Sequence, residues 1–288
     1  MIDSFSEYCA PGARALVEMI PVSSQVSLRV ISFTPAEANN NPPVVFVPGW
    51  ISHLTGWQAV LRELTRDFKV YCIETREKIS SQIRGKAEFS VAVIGQDLSA
   101  MIEHFGLKKR YVLLGSSLGA TAILDCCRSL KTPPLALVLI VPNAEFRVPM
   151  TWKIIITLLP PRLYLLVKPA VKWYLRNFRL DIHTDMAQYK KYCTALDEAD
   201  PWKLKKAVLA LAKYQVWDLL AEIDYPTLIV NASKDVLHEP ENLVKMAAAL
   251  KNGTSADLET NSRTHSIEMV ELLRKYLADN FKPGKEKK

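Results

Sequence analysis

Val112 to Leu124 reads VLLGSSLGATAIL, two adjacent serines between Gly115 and Gly119, after an apolar run and before a stretch with helical spacing. Only 10 of the 288 residues are glycine, so two of them four apart around serines need a reason. Gly115-Ser116-Ser117-Leu118-Gly119 is G-x-S-x-G, and it stands where a strand passes directly into a helix. At such a junction the middle residue is forced into a strained backbone conformation that holds its hydroxyl above the end of the sheet. The glycines leave room where a Cβ would strike the neighbouring strand or helix. This register makes Ser117 the candidate nucleophile and Ser116 the spacer. The helix that begins there turns the positive end of its dipole toward the negative charge of an acyl transfer. The plainer alternative, small residues that only ease packing, leaves the strand-to-helix context unexplained.

Outward from this junction the chain alternates. Residues 16–22 and 26–33 predict an antiparallel hairpin, followed by the loop TPAEANNNPP. Strands are predicted at 44–47, 69–74, 110–115, 135–142, 226–232 and near 255–260. Helices are predicted at 57–68, at 90–106 (capped by Ser90, with Gly106 at its end), and at 118–130, 239–253 and 266–281. This repetition implies an α/β fold: a mostly parallel sheet with helices on both faces. A long helical stretch, leaving the alternation at Asn143 and returning near Tyr225, interrupts it. The expected division is a core of residues 1–143 and 223–288 and a helical cap of residues 144–222.

A serine hydroxyl attacks only when a base takes its proton, and the base needs a carboxylate to orient it. There are five histidines. His265 follows the last strand and precedes the last helix, in a loop that returns to the sheet edge where Ser117 points. His238, three residues after Asp235, is its main rival. His104 lies inside a helix, His183 in the insertion, and His53 near the first loop, where it could line a pocket. Asp235 sits in the loop after a buried strand, and such loops gather at the carboxyl ends of strands. A turn or cap aspartate is the plainer reading of it. Glu239 reads as a first-turn acid.

The 49% hydrophobic content is that of a globular protein. The N-terminal segment carries acids and no long apolar run, so it is not read as a signal peptide. No uninterrupted apolar run reaches about 18 residues. Five cysteines show neither a paired framework nor metal spacing, which points to a reducing cytoplasm and no metal. The net charge of +7 is concentrated rather than spread: between Glu145 and Asp181 there are seven bases and no acid. No nucleic-acid-binding signature accompanies them, so nucleic acid is not an expected partner.

With Ser117, Asp235 and His265 in that order, the chain resembles the α/β-hydrolase family over nearly its full length. The resemblance implies an eight-stranded core with a helical cap after the sixth strand. It also implies an oxyanion hole from two backbone N–H groups, those of Leu118 and Trp50. Two departures stand out: Pro48-Gly49-Trp50 where members carry His-Gly, and ETREKISS (74–81), with Glu77 and Ile79 where members carry glycine. Serine at the elbow centre excludes the relatives that use aspartate there. The expected activity is hydrolysis of a carboxylic ester or thioester with a hydrophobic acyl group through an acyl-enzyme on Ser117, with no cofactor. The alternatives are an idle fold used for binding, a peptidase, or a cofactor-free haloperoxidase-like enzyme.

The insertion carries RVPMTWKIIITLLPPRLYLLVKPAVKWYLRNFRL, apolar and aromatic with interspersed bases, and Pro160, Pro161 and Pro169 within it predict short helices. The plain reading is a roof over the pocket with its bases in water. The sharper one adds an anionic membrane surface, acidic lipid or phosphate-bearing acyl thioester as a peripheral partner.

Overall fold

The computed structural model describes residues 5–50, 52–146, 148–179, 186–235 and 240–281. Nine strands form one sheet: β1 (Arg14–Pro21), β2 (Val26–Thr34), β3 (Val44–Val47), β4 (Val70–Ile73), β5 (Gln82–Ile83), β6 (Val112–Ser116), β7 (Ala136–Ile140), β8 (Thr227–Asn231) and β9 (Gly253–Asp257). Eight of them lie in the order β1-β2-β4-β3-β6-β7-β8-β9, and the two-residue β5 pairs with β2 off this path. The first hairpin and the β2–β4 pair are antiparallel, whereas every neighbour from β4 to β9 is parallel. The sheet is therefore mixed at one edge and parallel elsewhere, as the alternation predicts.

Sequence and place agree strand by strand. β3, β4, β6 and β7 are apolar runs buried at every residue, as parallel strands covered on both faces must be. The edge strand β1 exposes most of its residues instead. The core helices are α1 (Gln58–Leu64), α2 (Val91–His104) and α3 (Leu118–Cys126). The Ser90 hydroxyl caps α2 by accepting from Val93 N–H at 3.4 Å, and Gly106 turns the chain away from its end at φ +62°.

Between β7 and β8, after the sixth of the eight strands, the chain is helical: α4 (Met150–Leu158), α5 (Tyr164–Tyr174), α6 (Met186–Glu198), α7 (Pro201–Leu211) and α8 (Trp217–Leu220). α9 (Pro240–Ala249), α10 (Asn261–Thr264) and α11 (Ile267–Asn280) complete the core. Pro160 and Pro161 separate α4 from α5, but Pro169 does not break the chain as expected; it lies inside α5, which runs on into a π-helical turn, Leu175–Arg179. Pro169 and Leu165 are both exposed, so water can satisfy the Leu165 carbonyl that the proline leaves unbonded.

The β6–α3 junction fixes the rest. Ser117 holds φ +49° and ψ −117° as the N-cap of α3, a conformation rare for a residue with a side chain. Gly119 makes it feasible: a Cβ there would stand 2.1 Å from the Val47 carbonyl oxygen and 2.8 Å from that of Pro48. A Cβ on Gly115 would meet Ala120 N at 2.7 Å. Because Val47 is held in the sheet and cannot retreat, Gly119→Ala is expected to destabilise the protein by about 3 kcal/mol or more, the upper end for overpacking. Chemical denaturation measures this directly.

Candidate active site

Five neighbouring parallel strands end on one edge of the sheet, and each delivers a residue there. β3 leads to Gly49 and Trp50, β6 to Ser117, β7 to Asn143, β8 to Asp235 and β9 to the loop before His265. Ligands of open α/β sheets bind outside the carboxyl ends of the strands. A cavity of about 970 Å³ opens there, walled mainly by apolar side chains of α4, α5 and α7. Ser117, Trp50 and His265 line it, whereas Asp235 is buried behind it.

The Ser117 hydroxyl oxygen accepts a hydrogen bond of 2.9 Å from Asn143 Nδ2. Asn143 is fixed by Thr121, whose hydroxyl accepts from the Asn143 N–H at 3.0 Å. Just before it Val141, a β-branched residue, takes φ +40°, a second strained point at the cavity wall. The β3 loop closes from the other side, since a Cβ on Gly49 would lie 3.3 Å from Ser117 Cβ. Leu118 N–H is the first of α3 and so has no intrahelical acceptor. The Trp50 indole Nε1 is buried without a hydrogen-bond partner among the described residues.

His265 lies against the ring of buried Trp57, with centroids 3.9 Å apart. Its Nδ1 is 2.8 Å from the Asn261 carbonyl oxygen, which can only accept, so Nδ1 carries the proton and Nε2 keeps its lone pair. The Asn261 side-chain amide donates to Asp235 Oδ2 at 3.1 Å, so one residue joins Asp235 to the histidine. Lys191, from α6, places Nζ 2.5 Å from His265 Nε2. Tyr192, beside it, is half-buried at the cavity wall near the charge of Asp235, and desolvation first and that charge second push its hydroxyl pKa up.

A second polar cluster lies behind the β3 loop, in residues 74–81. Arg76 makes a buried bidentate pair with Asp97 at 2.8 and 2.6 Å. The buried Lys78 ammonium donates to the carbonyls of Gly49 and Ser52. Burial pulls its pKa down, opposed by the nearby carboxylates of Glu77 and Glu74. From α7, Lys203 Nζ donates to the carbonyls of Lys78 and Ser81, both at 2.8 Å. Glu77, where a glycine is usual, is buried and accepts from the Thr75 hydroxyl at 2.6 Å.

Of the other histidines, His53 does not line the cavity; it pairs with Glu198 at 2.8 Å. His104 is exposed at the end of α2. His183, His238 and Glu239 lie outside the described residues. Sequence reasoning missed Asn143, Lys78 and Lys191. Asn143 had a signal, its place directly after a parallel strand; the two lysines had none.

A family model described as serine aminopeptidase, S33, matches residues 38–265. No curated protein matches the chain in sequence. Among solved structures, a hydrolase from Pseudomonas aeruginosa PA01 superposes with a TM-score of 0.75 at 18% identity, covering 93% of this chain and 98% of that one. A thermophilic esterase from Thermogutta terrifontis gives 0.71 at 19%, covering 93% and 100%. A bacterial membrane phospholipase A gives 0.70 at 16%, covering 94% and 88%.

Proposed function

The chain belongs to the serine aminopeptidase S33 family of α/β-hydrolases, and from that membership we propose that it hydrolyses an ester or thioester of a hydrophobic acid through Ser117. The observation that carries this reading is the cavity, apolar over most of its wall and polar where Ser117 and His265 meet it. An esterase and a phospholipase A are among the proteins that share its fold. A peptidase would need groups to hold a peptide backbone, and an apolar wall supplies few of them.

Ser117 Oγ attacks the substrate carbonyl while His265 Nε2 takes its proton. Asn143 donates to Oγ, so that contact does not consume the proton the serine gives to the base. The N–H groups of Trp50 and Leu118 receive the developing oxyanion. His265 then returns the proton to the departing alcohol or thiol. Water, activated by the same nitrogen, releases the acid and restores Ser117. Asp235, through Asn261, keeps the Nδ1–H tautomer that the first step requires. Before any of this Lys191, whose Nζ lies 2.5 Å from Nε2, must leave it.

Ser117→Ala and His265→Ala are each expected to lower kcat on an activated medium-chain ester by about 10⁴- to 10⁶-fold, the loss of a unit that acts together. Labelling by a fluorophosphonate should vanish in Ser117→Ala and persist in Ser116→Ala; the reverse pattern would move the nucleophile. Activity should fall on acidification, because an imidazolium cannot accept the serine proton. Medium- and long-chain esters should exceed acetyl esters in kcat/KM.

Lys191→Met should raise kcat/KM for a neutral ester severalfold, because a larger fraction of the enzyme then has Nε2 open. A loss instead would make Lys191 a substrate-binding group. Steady-state kinetics on one neutral ester decides between them.

A further inference from the structure

α4 and α5 contain no buried residue, although both are rich in large apolar side chains. A helix that is apolar all round belongs in a core or against lipid. One side of the pair faces the cavity: Trp152, Ile156 and Leu159 along α4 and its end, and Tyr164, Val167 and Val171 along α5. The other side faces water, with Leu158 75%, Leu166 76%, Leu165 63% and Trp173 58% exposed. Nine of the fifteen large apolar side chains exposed among the described residues fall within residues 150–178. No acid lies between Glu145 and Asp181. Lys168 and Lys172 are neutralised by Asp197 at 2.8 and 2.7 Å, while Lys153, Arg162 and Arg176 have no ion-pair partner among the described residues.

We propose that the outer face of α4 and α5 docks on an anionic phospholipid bilayer. Leu158, Leu165, Leu166 and Trp173 enter the boundary between headgroups and acyl chains, and Arg162 and Arg176 meet the lipid phosphates. Apolar burial and the attraction of bases to anionic lipid add in such an interface. The chain lies on the bilayer rather than across it: the two helical segments meet at 110°, and among the described residues no single helix is long and apolar enough to span. Charge sets lipid against a second copy of the chain, since two copies of this face would oppose cations to cations. Because the inner side of the same helices lines the cavity, a lipid leaving the bilayer has a short apolar route to it.

Flotation with phosphatidylglycerol vesicles and with phosphatidylcholine vesicles tests this, independently of which residue is the nucleophile. The protein should float with the first and not the second, and salt should weaken it. Leu158→Glu with Leu166→Glu should abolish flotation. Arg162→Glu with Arg176→Glu should lower it about 25-fold or more, while turnover of a soluble short ester stays unchanged and reports an intact fold. Flotation with neither vesicle, equal flotation with both, or a dimer that the leucine variants dissolve would overturn the proposal.

A different observation carries a second inference, which rests on the reading of Trp50 N–H as an oxyanion donor. Gly49 C=O and Trp50 N–H are opposite ends of one planar peptide, so whatever holds the carbonyl sets the direction of the N–H. The geometry points to Lys78 as the positioning residue for that donor, through the hydrogen bond from its ammonium to the Gly49 carbonyl. A cationic donor on the carbonyl also polarises the amide and strengthens its N–H. The charged and titratable groups around Nζ are Glu77 at 3.9 Å, Glu74 and the neutral Cys72 thiol, with Lys203 holding the Lys78 carbonyl.

Lys78→Met should lower kcat about 10- to 100-fold with KM little changed, part of the 10²- to 10³-fold that a whole donor supplies. Affinity for a trifluoromethyl ketone, which forms the oxyanion, should fall in parallel, whereas affinity for the fatty acid product should not. Because burial lowers the lysine pKa, activity should decline at alkaline pH, and Lys78→Arg, which stays charged, should remove that decline and keep most of kcat. An unchanged kcat in Lys78→Met, or equal loss of ketone and product binding, would overturn the inference. Should Lys78→Met not fold, an alkaline decline that persists in Lys78→Arg does so. Wild-type turnover by Ser117→Ala would sink the reading of the chemistry instead.

Discussion

Between β6 and α3 the chain turns through Ser117 at φ +49°, and it stays there because the surroundings leave it nowhere else to go. Gly119 lets the first turn of α3 rest on the β3 carbonyls, and Gly115 lets β6 run beneath the same helix. The Ser117 N–H donates to the Ile140 carbonyl at 2.9 Å, which ties the turn to β7 as well. Strain of this kind costs of order 1–3 kcal/mol and persists only where neighbouring structure over-determines it. Here the neighbours are the central strands, so the hydroxyl is held by the stiffest part of the molecule.

The loop at 74–81 replaces a glycine-rich turn with charge. Glu74 is bonded to Arg29 at 2.6 and 2.9 Å, Arg76 to Asp97, and Lys78 to the β3 loop. Removing one partner of a buried pair strands the other charge, so such a cluster holds its parts in register more than it adds net stability. Through Lys203 it also reaches α7. The insertion and the β3 loop thus meet on one residue, Lys78, whose carbonyl is held by Lys203 and whose ammonium holds the carbonyls of Gly49 and Ser52. A shift of α7 would be felt beside Ser117.

The insertion also meets the core through Lys191 on His265, Glu198 on His53 and Tyr214 on Asp125. Its helices present apolar surface both inward and outward, which water alone does not favour. α4 and α5, which contain no buried residue, lack the dense packing that fixes the sheet, whereas Leu211, Val216, Leu219 and Leu220 at the end of the insertion join the core.

The order of strands and helices, the elbow at Ser117 and the parallel sheet could be read from the chain, because each depends on local spacing: period two, period 3.6, and glycines at fixed distance from a serine. The places of Asp235 and His265 after the last two strands followed from the same alternation. Asn143 sat in view but carried no motif. Lys78, Lys191 and Lys203 could not be read at all, since a lysine's partners lie at the end of a long side chain, 122 or more residues away for the Lys203 contacts and 74 for Lys191 with His265. Local sequence thus determined the fold and the line of candidate groups along one sheet edge. Only tertiary structure decided which cations reach that edge, because burying a charge depends on what the whole fold brings around it.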